Sequence, residues 1–237
     1  MQSKEIIMET LKKFKAHLES KGLTVYAVML KGSQNYNLSD SESDIDANAI
    51  IIPTLAQLRS NEKWKLSFEE GDVVAHNIYS FAEIVAKGNP QWVEVCNSEY
   101  AVGESLEMFK HFRVNPSALK GMMMEKVTAF SRLYPSRAKY VEQFGYDPKQ
   151  LHHIIRLYDC LAQDVITTTY HGTQRDWMMA IKRGTLLTKE EAFALRDEYV
   201  TKLAEIYEKR KLAYSPQKVG YDLIDKIVSN HLVQVLH

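Results

Sequence analysis

The chain has 237 residues, with 30 Lys plus Arg against 30 Asp plus Glu, and its formal charge is therefore zero. This balance argues against a protein that binds nucleic acid or a membrane through a uniformly basic surface. With 45% hydrophobic and 25% charged residues, the composition is that of a folded globular protein with one large domain or two smaller ones.

The charge is unevenly distributed along the chain. Residues 1–110 carry 11 basic and 16 acidic side chains, whereas residues 111–237 carry 19 and 14. Cys96 and Cys160 lie far apart in no metal-binding or redox spacing, which is typical of reduced thiols. We find no secretory signal and no apolar run of ~20 residues. The sequence therefore predicts a cytoplasmic protein without a membrane partner.

Hydrophobic periodicity predicts a helix over residues 4–20 that ends at Gly22. Short apolar or β-branched segments predict strands at 24–30, 44–52 and 72–78, and short helices at 81–87 and 91–96. Beyond about residue 110 the period is helical, with helices predicted near 117–132, 136–144, 148–170, 174–183, 188–211 and 218–235. Asp147-Pro148 and Ser215-Pro216 are typical helix starts.

These elements predict an α+β fold, in which a small mixed sheet with flanking helices is followed by an all-helical domain. The domains predicted from the sequence are residues 1–110 and 111–237.

The segment KGSQNYNLSDSESDIDANAIII, residues 31–52, has the residue types of a phosphate and metal site. A predicted strand runs into Gly32-Ser33, whose backbone N–H groups and hydroxyl can bind phosphate oxygens. The next strand opens with Asp44 and Asp46, which share a face because side chains alternate along a strand. Two adjacent carboxylates repel each other unless a cation such as Mg²⁺ lies between them.

This combination predicts phosphoryl or nucleotidyl transfer. Either motif alone is more often a turn or a solvated strand end. Their order and spacing, with a strand before each, favour the functional interpretation.

The pattern GSxxYxLxxxxSDxDxxxIxIP resembles the active-site segment of the DNA polymerase β-type nucleotidyltransferase superfamily. More narrowly, it resembles predicted nucleotidyltransferases of phages and bacteria, some of them associated with RNA ligases. The resemblance implies a minimal nucleotidyltransferase palm in residues 1–110. It places Gly32 and Ser33 on the nucleotide phosphates, and Asp44 and Asp46 on the metal ions, Mg²⁺ or Mn²⁺. Asn37 is a departure, because many relatives have glycine there.

The resemblance also implies a third carboxylate on a neighbouring strand. Asp72, in GDVVAHNIYS, is our choice as metal ligand and as base toward the acceptor hydroxyl. The family often has a second acidic residue two positions on, where this chain has Val74. Glu70 is the alternative, His76 shares a strand face with Asp72, and a simple turn role for Asp72 stays open.

Residues 145–157, GYDPKQLHHIIRL, resemble a second motif of the same narrow family. Lys149, His153 and Arg156 are spaced i, i+4 and i+7 and therefore share a helix face, where they would bind a triphosphate or a nucleic-acid backbone. His152 points elsewhere on the helix.

Periodicity alone allows another interpretation of that face. His153 would then be a core histidine, and Arg156 an ion-pair partner of Asp159 or Asp164. The segment AIKRGT, residues 180–185, also matches the family and implies that Arg183 reaches the same anion, although exposed arginines are more often simply solvated.

The resemblance implies a nucleotidyltransferase that moves NMP from an NTP, with ATP as the expected donor, to a hydroxyl acceptor. RNA or tRNA, bound through the basic helical half, is the expected acceptor, which would make the protein an RNA-processing enzyme. Three alternatives stay open: a protein-NMPylating (AMPylating) enzyme, an enzyme acting on a small molecule, and a catalytically degenerate protein that binds nucleotide or RNA.

Overall fold

The computed structural model describes residues 3–40, 43–60, 63–68, 71–135 and 137–235. Packing divides the chain into two compact units. The first comprises Met1–Asn35, Ser39–Arg113 and Pro216–His237, and the second comprises Tyr36–Leu38 and Val114–Ser215. The mixture of helices with one small mixed sheet confirms the predicted α+β class.

The first unit contains a five-stranded sheet in the order β3-β4-β2-β1-β5. Its strands are β1 Thr24–Lys31, β2 Asp46–Ile52, β3 Lys63–Ser67, β4 Asp72–Asn77 and β5 Ala101–Gly103. Strand β1 is antiparallel to both β2 and β5, β2 is parallel to β4, and β3 is antiparallel to β4. The sheet is therefore mixed, and β2 lies at its centre.

In the described residues of the first unit, six helices accompany the sheet: α1 Lys4–Ser20, α2 Leu55–Ser60, α3 Ile78–Ala86, α4 Pro90–Cys96, α5 Glu107–Lys110 and α11 Tyr221–Val235. Helix α1 packs its apolar face on one side of the sheet, against alternating side chains of β2 and β4 such as Ala47, Ala49 and Val73. Helix α3 packs against β2 and β4, and helix α4 packs against β1. Strand β2 is consequently buried over most of its length, as its apolar sequence requires.

Where the structure describes it, the second unit contains five helices: α6 Pro116–Ala129, α7 Ala138–Phe144, α8 Pro148–Gln163, α9 Gly172–Arg183 and α10 Lys189–Ala213. Helix α8 is central, because it packs against α6, α9 and α10. Tyr36 and Leu38 are buried in the same hydrophobic core, although they come from the segment between β1 and β2. This core explains why Tyr36–Leu38 belongs to the second unit.

The two units differ from the domains predicted at residue 110 in one large segment. Residues 216–237 were predicted in the helical domain, but the described part of this segment, residues 216–235, packs within the first unit. Ile224 and Val228 of α11 are buried there, and His231 Nε2 lies 3.0 Å from the hydroxyl of Thr24 on β1.

The predicted elements of the first unit are found within a few residues of their expected bounds. Helix α1 is confirmed at 4–20, and the strands predicted at 24–30, 44–52 and 72–78 correspond to β1, β2 and β4. The elements that the sequence did not predict are short: α2, β3, β5 and α5 have three to six residues each. Segments of this length contain too few residues for a periodic pattern.

In the second unit, the helix predicted over 148–170 is wrong at its end. Helix α8 ends at Gln163, because Asp164 adopts a left-handed conformation with φ of 56°. Its N–H donates to the carbonyls of Cys160 and Leu161, which closes the helix. The helix start predicted at Ser215-Pro216 is also wrong, since α11 begins at Tyr221.

Candidate functional site

The turn after β1 contains a glycine with a positive φ. Gly32 has a φ of +91°, a conformation that favours glycine, and its carbonyl accepts a hydrogen bond from the N–H of Asn35 at 3.0 Å. The Asn35 side chain donates to the carbonyl of Leu30 at 2.9 Å, which fixes the end of the strand. Apart from Gly32 and its two chain neighbours, no described atom lies within 4 Å of the place where a Gly32 Cβ would stand.

The two predicted carboxylates flank a buried residue. Ile45 is 2% exposed, whereas Asp44 is exposed and Asp46 is half-buried. This alternation is the one expected from the sequence. However, β2 begins at Asp46, and Asp44 lies two residues before the strand rather than within it.

Strand pairing brings Asp46 beside residues from both neighbouring strands. Lys31 of β1 lies directly opposite Asp46 in the antiparallel register, and Asp72 is the first residue of the parallel strand β4. The backbone N–H of Asp72 donates to Oδ1 of Asp46 at 3.1 Å. A lysine and two aspartates therefore lie at the same end of the neighbouring strands β1, β2 and β4, next to the Gly32-Ser33 turn.

Gly71 allows the start of β4 to approach β2 closely. It has a φ of 152°, and a Cβ at this position would lie 2.4 Å from the carbonyl oxygen of Ile45. The contact between Asp72 and Asp46 therefore depends on a glycine at the preceding position.

The sequence analysis named two more candidates close to Asp72 in the sequence, Glu70 and His76. Glu70, the alternative third carboxylate, lies outside the described residues. His76 is buried on β4, and its ring packs edge-on against Trp92 with the ring centroids 4.7 Å apart. His76 is thus placed among packed side chains.

The sequence analysis did not identify Gln34 and Asn48, whose side-chain amides are buried. Gln34 accepts a hydrogen bond from the Ser39 hydroxyl at 2.6 Å, while its Nε2 has no hydrogen-bond partner. Asn48, two residues after Asp46 on β2, is 2% exposed, and its Nδ2 also has no partner. The alternation that selected Asp44 and Asp46 continues to Asn48, and this was the signal that could have found it.

The kinds of side chain at this end of the sheet limit which metal ion it can hold. Among the described residues, no group of three or more His, Cys, Asp or Glu side chains is arranged to hold a metal ion. Mg²⁺ is commonly held by one or two carboxylates together with phosphate oxygens and water. Asp44 and Asp46 offer two carboxylates of the kind that this smaller requirement needs, and Oδ1 of Asp46 accepts a hydrogen bond from the N–H of Asp72.

The predicted phosphate ligands of the second unit lie on α8 and α9. Lys149 is exposed, His153 is half-buried, and Arg183 is exposed in the last turn of α9. Arg156 is buried, and its guanidinium lies over the ring of Tyr36, 4.3 Å from the centroid.

The two acids that the sequence offered as ion-pair partners for Arg156 have other contacts. The carboxylate of Asp159 accepts a hydrogen bond from the hydroxyl of Tyr170 at 2.6 Å. Asp164 lies 3.1 Å from a guanidinium nitrogen of Arg210.

The backbone of residues 36–38 is held by hydrogen bonds within the second unit. The carbonyls of Asn37 and Leu38 accept hydrogen bonds from the side chains of Arg175 and Lys182, at 2.9 and 2.7 Å. The Asn37 side chain donates to the carbonyl of Tyr170 at 2.9 Å. Asn37 has a φ of 58°, and this left-handed conformation explains why glycine and asparagine both suit the position.

Burial lowers the pKa of both histidines of α8. Burial, and then the charge of Arg156, lowers the pKa of His152 well below its ordinary value. Burial and the neighbouring His152 lower the pKa of His153 in the same way. His152, which the sequence analysis placed away from the basic face, is the more buried of the two.

Comparison with known proteins gives little. No family model matches the sequence, and no curated protein matches it. One solved structure that resembles the chain is a nucleotidyltransferase-like protein from Exiguobacterium sibiricum 255-15. The two are 13% identical, and the likeness covers 86% of this chain and 75% of that chain with a TM-score of 0.32.

In the part of the chain that the structure describes, no helix is both long and apolar enough to span a membrane.

Proposed function

We propose that this protein is a metal-dependent nucleotidyltransferase that moves NMP from an NTP to the hydroxyl of an RNA acceptor. The observation that carries the proposal is the arrangement of residues at the end of the sheet where β1 ends and β2 begins. The Gly32-Ser33 turn directly follows Lys31, which is paired with Asp46, and Asp44 precedes Asp46 across a buried residue. The turn that we propose for the phosphates thus follows a residue paired with Asp46, one of the two carboxylates that we propose for the cation.

In this proposal the residues of the turn bind and orient the triphosphate. The backbone N–H groups of Gly32 and Ser33 and the Ser33 hydroxyl donate to phosphate oxygens. Lys31 places a positive charge beside the same edge and attracts the nucleotide. Gln34 and Asn48 each have a buried amide that can donate one further hydrogen bond.

Asp44 and Asp46 would hold a divalent cation, Mg²⁺ or Mn²⁺, which neutralises charge on the phosphate oxygens when bound. The acceptor oxygen forms a bond to the α-phosphorus, the bond from that phosphorus to pyrophosphate breaks, and the hydroxyl proton passes to a carboxylate. Asp72 is the proposed base, because it is the carboxylate next to Asp46 on the neighbouring strand.

RNA is proposed as the acceptor because the second unit has the charge and the exposed side chains for it. Residues 114–215 carry 16 basic and 12 acidic side chains. Arg132 lies over the ring of exposed Tyr134, and Lys139 lies over the ring of Tyr140. Cations and aromatic rings together are the residues that bind single-stranded nucleic acid. Lys149, His153, Arg156 and Arg183 are proposed as further phosphate ligands of this unit.

A second candidate function is nucleotide binding without turnover. It is favoured by the hydrogen bond that Oδ1 of Asp46 accepts from Asp72, and by the lack of a three-ligand metal cluster among the described residues. A site with only two carboxylates would bind a nucleotide with its cation and still react slowly.

The experiment incubates the protein with each α-labelled NTP, with Mg²⁺ or Mn²⁺, and with total RNA or cell lysate. Transfer of label from ATP into RNA is the expected result. Label in a protein band would show that the acceptor is a protein hydroxyl and not RNA. Binding of NTP without release of pyrophosphate, under all of these conditions, would support the second candidate and contradict the first.

A further inference from the structure

Residues 34–39 form a loop whose two ends are hydrogen-bonded to each other. The hydroxyl of Ser39 donates to the side-chain oxygen of Gln34 at 2.6 Å, across five positions of the sequence. Both residues are buried. A bond between buried groups is costly to break, because water cannot replace the lost partner. The Gln34–Ser39 bond therefore holds the base of this loop, directly after the Gly32-Ser33 turn.

The tip of the same loop, Tyr36–Leu38, is anchored in the second unit through its backbone. Its three successive carbonyls accept hydrogen bonds from the N–H of Tyr170 and from the side chains of Arg175 and Lys182, at 3.2, 2.9 and 2.7 Å. The side chains at both ends of the tip are buried in the core of that unit. The backbone of the tip is therefore fixed by groups of the second unit.

Asn35 connects this loop to the turn. Its N–H donates to the carbonyl of Gly32 at 3.0 Å, and its side chain donates to the carbonyl of Leu30 at 2.9 Å. The side-chain oxygen of Asn35 also accepts from the hydroxyl of Ser98 at 2.8 Å. Because Asn35 lies in the chain between the base and the tip, a displacement of either one is passed to the turn.

We propose that Ser39, Arg175 and Lys182 are positioning residues for the nucleotide. They act through the loop at residues 34–39, which holds the Gly32-Ser33 turn in the conformation that binds phosphate, and they do not contact the nucleotide. A turn that is already held in its binding conformation loses less freedom when the ligand binds, and affinity is higher for that reason. The role in nucleotide binding rests on the proposed function, whereas the link from the second unit to the turn does not.

The first test compares two arginines of the second unit that make the same kind of hydrogen bond. Nε of Arg175 donates to the carbonyl of Asn37 in the tip, and Nε of Arg210 donates to the carbonyl of Leu161 in α8, both at 2.9 Å. The readout is amide hydrogen exchange at Asn35, measured by NMR on the protein without nucleotide. We expect Arg175→Met to speed this exchange about tenfold and Arg210→Met to leave it unchanged.

Equal acceleration of Asn35 exchange in the two arginine variants would overturn the proposal, because it would show a general loss of stability. Lys182→Met is the second variant of the tip and covers the case in which Arg175→Met does not fold. It keeps the apolar part of the side chain and removes the donor to the carbonyl of Leu38. We expect the same acceleration at Asn35.

The second test removes the hydrogen bond at the base of the loop. Ser39→Ala changes little in shape, and we expect it to raise the KM for ATP about three- to tenfold while kcat stays unchanged. Thr24→Val is the control, because the Thr24 hydroxyl lies 3.0 Å from Nε2 of His231, at the other end of β1. It should leave both parameters unchanged. A lower kcat with an unchanged KM in Ser39→Ala would contradict the positioning role.

These measurements separate the inference from the proposed function. Amide exchange needs no nucleotide, and faster exchange at Asn35 in Arg175→Met, but not in Arg210→Met, supports the link even if the wild type transfers no NMP. If the wild type transfers NMP while Arg175→Met and Lys182→Met change neither the exchange at Asn35 nor the KM for ATP, the proposed function stands and the link is wrong.

Discussion

Asn37 shows how one residue can look unfavourable in a sequence and still suit the structure. The backbone explains why either glycine or asparagine suits the position, because φ is 58°. Asparagine tolerates this conformation better than other side chains, and here its amide also bonds the Tyr170 carbonyl.

This explanation makes a stability prediction. Asn37→Gly keeps the conformation and loses one hydrogen bond, which should cost about 1 kcal/mol of unfolding free energy. Asn37→Ala loses the bond and also adopts a strained backbone, for a total of about 2–3 kcal/mol. Denaturant unfolding measures both variants. An alanine variant as stable as the glycine variant would contradict the left-handed assignment.

Gly71 has a different role, because the space beside it is filled. Its missing Cβ would lie 2.4 Å from the Ile45 carbonyl, and we expect Gly71→Ala to lower the unfolding free energy by about 2 kcal/mol or more. Gly121→Ala is the matched control, since Gly121 is exposed within α6 and its Cβ would meet nothing. That control should be stabilised by about 0.5–1 kcal/mol.

His152 also predicts how stability depends on pH. Its folded pKa is lowered, and the unfolded chain therefore takes up the proton first as the pH falls. The stabilisation is present above the unfolded pKa of ~6.5 and is lost below it, by up to about 1.4 kcal/mol per pH unit for one histidine. In phosphate-free buffer, unfolding free energy should fall from ~pH 7 to ~pH 5, and less steeply in His152→Phe. An equal slope would contradict the buried neutral histidine.

At the scale of elements, the long helices were predictable because they repeat an apolar pattern and carry recognisable ends. Asp147-Pro148 begins α8 as expected, with the Asp147 carboxylate accepting from the N–H of Lys149 at 3.0 Å. The end of α8 was mispredicted because apolar residues continue after Asp164. The threonine run at 167–169 was the available signal, since β-branched residues disfavour helix.

Asp147 caps helix α8 and also forms an ion pair, and the contribution of these contacts to stability can be measured. It is almost fully buried and also pairs with Arg137 through both oxygens. Asp147→Ala should cost about 3–4 kcal/mol of unfolding free energy, because the cap is lost and Arg137 loses its partner. Thr188 of α10 is the comparison: its side chain caps without an ion pair, and Thr188→Ala should cost about 1 kcal/mol. Similar losses in the two variants would contradict a stabilising role for the ion pair.

The candidate site was predictable only in part at this scale. The turn at Gly32 and the alternation of Asp44 and Asp46 follow from local sequence. The pairing of Asp46 with Lys31 and its hydrogen bond to Asp72 depend on strand register, which distant segments set together. Periodicity can place Asn48 on the strand face of Asp46, but it cannot show that the buried amide lacks a hydrogen-bond partner, because hydrogen-bond satisfaction is a property of the packed structure.

At the scale of the whole molecule, the zero net charge is the sum of two compact units of opposite sign. The first unit carries 14 basic and 18 acidic side chains, and the second carries 16 and 12. The asymmetry seen in the two halves of the sequence therefore survives the reassignment of residues 216–237. An acidic unit with the carboxylate pair and a basic unit with buried cations suit a cation and phosphate groups, respectively.

The central claim is that Asp44 and Asp46 are the metal-binding carboxylates of an NMP-transferring enzyme. Its most direct test compares Asp44→Ala with Asp46→Ala, as a double variant, against the wild type in the α-labelled ATP assay. Glu99→Ala with Glu104→Ala is the charge-matched control, because both glutamates are exposed in the first unit. We predict that the active-site variant keeps the wild-type circular dichroism spectrum and transfers no label, whereas the control transfers label normally. Undiminished transfer by the folded Asp44/Asp46 double variant would contradict the mechanism.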